Sequence, residues 1–174
     1  RNGEFIGSFA VYGYAKDPEN KNRLVVDPEA AEVVQEIFAR RIAGQSCKAI
    51  ADDLNVLGVL SPMEYKRSQG INFKTGYKAH SKAQWSPRAV QRILENEVYL
   101  GIMTQGRRTT PNYKVKTVIE RPPEVWMRVE GTHEAIISHE DFQLAARLKG
   151  KDTRKAPGSF GPGRGQRSFL CRYD

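Results

Sequence analysis

Apolar side chains recur at helical spacing along the chain, and each such stretch opens with a residue that favours a helix start. The first stretch follows Asp27 and Pro28 and ends near Gly44. Its apolar positions are Ala30, Val33, Val34, Ile37, Phe38 and Ile42. An aspartate at the N-cap, proline in the first turn and glycine past the end together predict a core helix here.

The same pattern predicts three shorter helices, which begin after Ser46, Ser86 and Ser138. The last has Asp141 three residues on, as in a capping box. The expected buried positions are Ala49, Ile50, Leu54 and Leu57, then Ala89, Val90, Ile93 and Leu94, then Phe142, Ala145, Ala146 and Leu148. The first two helices of the chain, joined by a tight turn, form either a helix-turn-helix scaffold or a plain packed pair.

Strand-like alternation appears in the second half of the chain, in the stretches LGIMTQG, YKVKTVI and EVWMRVE. In the last of these, Val125, Met127 and Val129 are expected on one face. The stretch QGRRTTPN is predicted to be a turn with a basic tip. A charged hairpin beside helices resembles a wing, although charged tips also keep strand edges from pairing. The predicted fold class is α+β, mainly helical, with a helix-turn-helix-like helical core and a small antiparallel sheet.

The glycine- and aromatic-rich start of the chain, up to Tyr14, is predicted to be an extended segment that docks aromatic rings onto the core. A second irregular segment, from Leu57 to Trp85, is predicted to be a long loop without secondary structure. This loop mixes aromatic and basic side chains, namely Tyr65, Phe73, Tyr77, Lys66, Arg67, Lys74, Lys78 and Lys82. Such a loop either lies along phosphates when bound or is a solvated loop without a role.

Composition narrows the possible classes. The 174 residues are 39% hydrophobic, enough for one domain or two small ones. We find no apolar run that could span a membrane and no signal peptide, so we expect a cytoplasmic protein without a membrane partner. The two cysteines, Cys47 and Cys171, are too few and too far apart for a disulfide framework or a zinc site. Neither a cofactor nor a metal is expected within this chain.

The net charge of +8 is distributed unevenly. Residues 63–85 carry five basic side chains against one acidic, and residues 106–128 carry six against two. These two segments flank the helix that starts after Ser86, and residues 149–174 form a third basic segment. Basic segments around a helix are how a polyanion-binding surface is built.

The helix after Ser86 leaves four polar side chains on the face opposite its apolar stripe, namely Arg88, Gln91, Arg92 and Glu95. Arginine and glutamine hydrogen-bond to base edges, so this helix is a candidate to read a DNA major groove. An ordinary surface helix would show the same amphipathic pattern. The His and acidic residues near Ser138 favour no catalytic or metal site, because acids in a first helical turn serve the helix dipole.

The order of several stretches resembles the large serine recombinases, the family of phage integrases and conjugative-transposon recombinases. The stretches are AVYGYAKD, LVVDPEAAEVVQEIF, CKAIADDLNVLGV, WSPRAVQRILENEVYLG, THEAIISHEDFQLA and SFLC. The resemblance implies a recombinase domain at 15–149, a DNA-binding module that reads an attachment site. It implies that residues 1–14 are the linker from a preceding catalytic domain, and that 150–174 hold a linker and the start of a zinc-ribbon domain.

The resemblance also implies which activities lie elsewhere. The family's nucleophilic serine would precede Arg1, so this chain alone should not cleave DNA. Cys171 matches the first zinc ligand of the zinc-ribbon domain, whose other ligands are not in this sequence. Family members bind DNA as dimers and synapse as tetramers largely through the catalytic domain, so we expect this piece to be monomeric.

We assign base readout to Arg88, Gln91 and Arg92. Phosphate contacts are assigned mainly to the basic side chains that surround them, namely Lys66, Arg67, Lys74, Lys78, Arg107, Arg108, Lys114 and Lys116. The expected partner is double-stranded DNA. Two rival functions stay open at this point: a free-standing helix-turn-helix transcription regulator, and an RNA-binding module that stacks bases on its aromatic loops.

Overall fold

The computed structural model of the chain describes residues 3–70, 82–110 and 117–149. The helices in these ranges are α1 (Pro28–Ile42), α2 (Cys47–Val56), α3 (Pro62–Ser68), α4 (Pro87–Leu94) and α5 (His139–Arg147). The strands are β1 (Tyr14–Lys16), β2 (Leu24–Val26), β3 (Met103–Gln105), β4 (Arg108–Thr109), β5 (Ile119–Glu120) and β6 (Met127–Val129). Two short 3₁₀ turns lie at Glu97–Leu100 and Pro123–Val125.

Helix α1 is the centre of the core, and α2, α4 and α5 pack against it. Its fully buried side chains include Val34, Ile37 and Phe38. Pro28 occupies the first turn as predicted, but the Asp27 side chain does not cap the helix. It accepts a hydrogen bond of 2.7 Å from the Tyr65 hydroxyl instead, which ties α3 to the start of α1.

The N-terminal segment is part of the same core. Phe5, Tyr12 and Tyr14 are buried, which confirms that this segment docks its aromatic rings. The Tyr14 hydroxyl donates to the backbone carbonyl of Glu134 at 2.8 Å and so holds β1 against the turn before α5. Gly13 has a φ of +94° and backs onto Val34, so a side chain there would be both strained and crowded.

The strands form three antiparallel pairs, β1 with β2, β3 with β6, and β4 with β5. Two details differ from the sequence prediction. Arg108 and Thr109, predicted to be in a turn, form β4 and pair with β5. Val125 belongs to a 3₁₀ turn, and Met127 is exposed where it pairs with Gln105 at the end of the short β3–β6 ladder, whereas Met103 at the other end of the ladder is buried.

Three helix predictions also need correction. Leu57 is 64% exposed, because α2 ends at Val56 and the chain turns away from the core. Ala146 is exposed, whereas Ala145 is buried against α1. The loop predicted between Leu57 and Trp85 contains helix α3, which starts at a serine cap.

The remaining helices and the α+β class agree with the sequence prediction. Helices α1, α2, α4 and α5 lie where their caps and apolar stripes placed them. The helix-turn-helix scaffold, the wing and the predicted domain boundaries after residues 14 and 149 stay predictions.

Candidate nucleic-acid interface

Helix α4 forms because its ends and its buried face are both specified locally. The Ser86 hydroxyl accepts a hydrogen bond from the Ala89 amide, and Pro87 occupies the first turn. Val90, Ile93 and Leu94 are buried between α2 and α1. The opposite face is therefore fixed toward the outside of the core.

Trp85, which precedes the N-cap of α4, is held by two hydrogen bonds from the side chain of Asn55 on α2, here called the Asn55 clamp. Asn55 accepts from the Trp85 amide at 2.8 Å and donates to the Trp85 carbonyl at 3.0 Å. The indole of Trp85 is buried and donates to the Val59 carbonyl. The amide, the carbonyl and the indole N–H of Trp85 thus all have hydrogen-bond partners. These contacts fix the position of the chain at the start of α4.

The long segment before α4 returns to α3 through a second clamp. The Ser61 hydroxyl donates to the Ala83 carbonyl at 2.9 Å, and the Ala83 amide donates to Glu64 at 2.9 Å. The hydrogen bond from the Ala83 amide is the main reason that the pKa of Glu64 is lowered, and the nearby Arg67 adds to the effect. The first turn of α3 therefore holds the chain where it approaches α4.

The basic residues predicted in this segment fall into two groups. Arg67 is half-buried and pairs with Glu64 at 2.6 Å. The ammonium of Lys66 lies over the Phe9 ring at 5.6 Å, and burial lowers the pKa of Lys66. Lys74 and Lys78 lie outside the described residues.

The outer face of α4 carries a chain of polar contacts. Arg88 Nη1 donates to Gln91 Oε1 at 3.2 Å, and Gln91 Nε2 donates to Glu95 Oε1 at 2.9 Å. Lys149, just past α5, pairs with the same Glu95 oxygen at 2.6 Å. The bond to Lys149 and then the one to Gln91 lower the pKa of Glu95, so this carboxylate is charged at neutral pH. Two of the three predicted readers therefore belong to one network.

Arg92 stands apart from this network. Its side chain is exposed on α4, and within the described ranges no hydrogen bond or ion pair engages it. Arg88 and Gln91 line a cleft of about 970 Å³, whereas Arg92 does not. The predicted reading face is thus split between the wall of a cleft and a solvent-facing arginine.

The cleft is bounded by α4, α5 and the start of α2, and by Arg107 and Trp126, which lie next to the β3–β6 pair. Five cationic side chains line it, with two carboxylates among them: Arg41, Lys48, Arg88, Arg107 and Lys149 against Glu95 and Glu97. Arg41 is buried and donates to the carbonyls of Gln45 and Leu148, so it braces the floor of the cleft. The surplus of positive charge favours an anionic occupant at the mouth of the cleft.

Two arginines of the strand region, Arg107 and Arg128, are held to the helical core through Glu97. This carboxylate accepts from Arg128 at 2.8 Å and, more weakly, from Arg107 at 3.4 Å. Both guanidinium groups also lie against the Trp126 ring, at 4.9 Å for Arg107 and 5.9 Å for Arg128. Arg107 is therefore partly committed to internal contacts.

The other basic residues predicted on the hairpin are exposed or not described. Arg108 is exposed and lies 3.5 Å from Glu120 across the β4–β5 pair. Lys114 and Lys116 lie outside the described residues.

Sequence reasoning assigned no role to the acidic and distant members of these networks, although it placed Glu95 on the outer face of α4. Glu95 carried a usable signal, since it lies four residues after Gln91 on one helix face. Ser61 and Glu64 form the serine and glutamate of a capping box, which marks the start of α3. Lys149, Glu97 and Arg128 carried none, because their contacts join elements distant in sequence.

The described part of the chain offers neither a metal centre nor a membrane-spanning helix. No group of three or more His, Cys, Asp or Glu side chains lies close enough to hold a metal ion among those residues. No helix within the same ranges is both long enough and apolar enough to cross a bilayer.

Known proteins match this chain both by sequence profile and by fold. The profile of the family described as Recombinase matches residues 28–151. A crystal structure described as an LSR–DNA complex matches with a TM-score of 0.52 and 18% identity, covering 86% of this chain and 34% of the other. A structure from work on the sequence requirements of the Listeria innocua prophage attP site matches with a TM-score of 0.52 and 20% identity, covering 86% and 47%. The chain thus spans between about a third and a half of these two proteins.

Proposed function

Because this chain belongs to the Recombinase family, we propose that it binds the DNA attachment site at which a site-specific serine recombinase integrates or excises a mobile element. One matched structure is described as an LSR–DNA complex, and the other comes from work on a prophage attP site. The observation that carries the proposal is the placement of α4. Its outer face carries Arg88, Gln91 and Arg92, and basic segments precede and follow it.

The division of labour within the site follows from what each side chain can contact. Arg92 is exposed and without a partner in the described ranges, so it is the arginine most available for a base edge. Gln91 offers a donor and an acceptor from the cleft wall. Exposed Arg108 and the lysines of the two flanking segments are assigned to phosphates, which position the duplex without reading it.

Recognition rather than cleavage is the proposed role of this chain. Serine would be the nucleophile in this family, but the described serines that open helices are engaged with backbone groups. These are Ser46, Ser61, Ser86 and Ser138, each of which accepts a hydrogen bond from a helix amide. We propose that strand cleavage in the full-length recombinase is carried out by a separate catalytic domain.

The test is selection of bound duplexes from a random DNA pool at near-physiological salt, followed by sequencing. A sequence-specific domain is expected to enrich a motif of roughly a dozen base pairs, longer than one recognition helix reads. Competition with single-stranded RNA is the control for a purely electrostatic or RNA-directed interaction. Salt-sensitive binding without an enriched motif, or preference for the RNA, would rule out the proposed function.

A further inference from the structure

The side-chain amide of Gln91 is held at both of its ends. A guanidinium group only donates hydrogen bonds, so the Gln91 atom facing Arg88 at 3.2 Å must be the oxygen. A carboxylate only accepts, so the atom facing Glu95 at 2.9 Å must be the nitrogen. Rotating the amide by 180° would replace both attractive contacts with repulsive ones. One orientation is therefore fixed, with oxygen toward the start of α4 and nitrogen toward its end.

Glu95 is an unexpected residue at this position. It caps the C-terminal end of α4, where the helix dipole disfavours a negative charge, and it lies beside the proposed DNA-contacting face. Its charge is compensated by Lys149, which reaches across from the end of α5. The carboxylate is therefore anchored from a second element, so its hold on Gln91 does not depend on α4 alone.

We propose that Glu95 is a positioning residue for base recognition, and that the Gln91 amide it fixes reads an adenine in the major groove. This inference rests on the proposed function. After its bonds to Arg88 and Glu95, the amide keeps one N–H and one oxygen lone pair. Adenine presents the matching pair, an acceptor at N7 and a donor at N6.

The other bases do not match a fixed amide. Guanine presents two acceptors in the major groove, O6 and N7, and one of them would face the amide oxygen. Cytosine presents a single donor, and thymine an acceptor beside a methyl group. A freely rotating glutamine adapts to more partners, so fixing the amide converts a tolerant side chain into a selective one.

The experiment starts from the motif that the wild-type chain enriches from the random pool. Each adenine of the motif is replaced in turn by 7-deazaadenine, which lacks the N7 acceptor, and binding is measured by fluorescence anisotropy. Wild-type protein is expected to bind roughly tenfold more weakly at one position, the order expected when one bidentate base contact is broken. Gln91→Ala and Glu95→Ala are both expected to be insensitive to that replacement.

Glu95→Gln separates positioning from charge. Its amide oxygen still accepts from Gln91, so the sensitivity to 7-deazaadenine is expected to persist. Removing the negative charge is expected to tighten binding to unrelated duplexes severalfold at low salt. The matched control is Glu32→Gln, the same charge change at an exposed position on α1, which is expected to change neither the 7-deazaadenine effect nor the binding to unrelated duplexes.

The outcomes distinguish this inference from the proposed function. If the wild-type chain enriches a motif but Glu95→Ala keeps the full 7-deazaadenine effect, or no adenine shows one, the role of Glu95 is overturned and DNA recognition stands. If no motif is enriched, the proposed function fails and this inference fails with it. Circular dichroism verifies folding, and Glu95→Leu serves as a second variant without an acceptor should Glu95→Ala be unfolded.

Discussion

The imidazole of His133 lies between β1 and the turn after α4. Its Nε2 is 2.7 Å from the Val98 carbonyl, and its Nδ1 is 2.8 Å from the Thr132 hydroxyl. A carbonyl only accepts, so Nε2 carries the proton. The Thr132 hydroxyl lies between Nδ1 and the Gly101 carbonyl, which is 3.3 Å away. The ring centroids of His133 and Tyr14 lie 4.9 Å apart, with the two rings nearly perpendicular. Burial of the ring among these groups favours its neutral form.

His133 is expected to make folding stability pH-dependent. Burial lowers its pKa below the ordinary 6.5, while the bond to Val98 works in the opposite direction. The unfolded chain therefore binds more protons than the folded chain just below pH 6.5, so stability falls as pH drops through that value toward the folded pKa. Above about pH 6.5 the contribution is complete and constant.

The measurement is urea denaturation between pH 5 and pH 8. His133→Gln is expected to be less stable at pH 8 but to lose less stability than wild type on acidification. The matched control is His139→Gln, since His139 is exposed at the start of α5. A wild-type slope retained in His133→Gln would assign the acid sensitivity to another group.

Replacing Arg92 and replacing Lys74 are expected to weaken DNA binding in different ways. Arg92→Ala is expected to weaken the preferred site by about 1–3 kcal/mol and to relax sequence choice, because the variant cannot hydrogen-bond to a base edge. Lys74→Ala is expected to weaken all duplexes alike, because a phosphate contact carries no sequence information. Titrations of both variants against the preferred and a scrambled duplex make the comparison. Identical behaviour of the two variants would refute the division into readers and phosphate contacts.

At the scale of elements, the sequence predicts what local chemistry determines. Helices α1, α2, α4 and α5 each carry their cap and stripe within one stretch, so their positions were predictable. Helix α3 was missed because its short, half-buried stretch shows no apolar stripe, although its Ser61 cap is explicit. The strands are two or three residues long and depend on partners elsewhere in the chain, so their ends were not predictable.

The Asn55 clamp is expected to be the contact through which α2 sets the position of α4. Asn55→Ala leaves the amide and carbonyl of Trp85 without their partners, so it is expected to destabilise the fold by about 1–3 kcal/mol. Asn55→Asp is expected to be damaging too, because the carboxylate cannot donate to the carbonyl. Chemical denaturation measures both, with Asn22→Ala at an exposed turn as the control. Equal stability of Asn55→Ala and Asn22→Ala would show that the clamp is dispensable.

At the scale of the whole molecule, the distribution of basic residues is predictable from sequence, but which of their side chains remain free to contact DNA is not. The basic segments around α4 are visible in the sequence. Folding then commits Arg67 to Glu64, Arg107 to Glu97 and Trp126, and Arg88 to Gln91. The partners of Arg107 are set by tertiary packing, and the partner of Arg67 lies on a helix that was not predicted. Arg88 and Gln91 are three residues apart on the predicted helix α4, so this one contact carried a local signal. The position of the basic surface was therefore predictable from sequence, whereas most of the side chains on it that are engaged in internal contacts were not.

The two basic segments that flank α4 are expected to contact one duplex together. Neutralising a phosphate-binding lysine removes one released counterion, so the slope of log K against log salt should change by about 0.9 for each lysine neutralised. The double variants Lys74→Ala/Lys78→Ala and Lys114→Ala/Lys116→Ala should each lower the slope by about 1.8. The four-fold variant should lower it by about 3.6, because contacts on one duplex add.

The control is Lys21→Ala/Arg23→Ala, an equal charge change in an exposed turn between β1 and β2. It removes the same overall charge without a proposed phosphate contact, so its slope should stay at the wild-type value. If only one of the two lysine pairs changes the slope, the duplex contacts one side of α4 alone. In that case a major-groove position of α4 between two phosphate-binding segments is excluded, because such a position requires both segments to reach the same DNA.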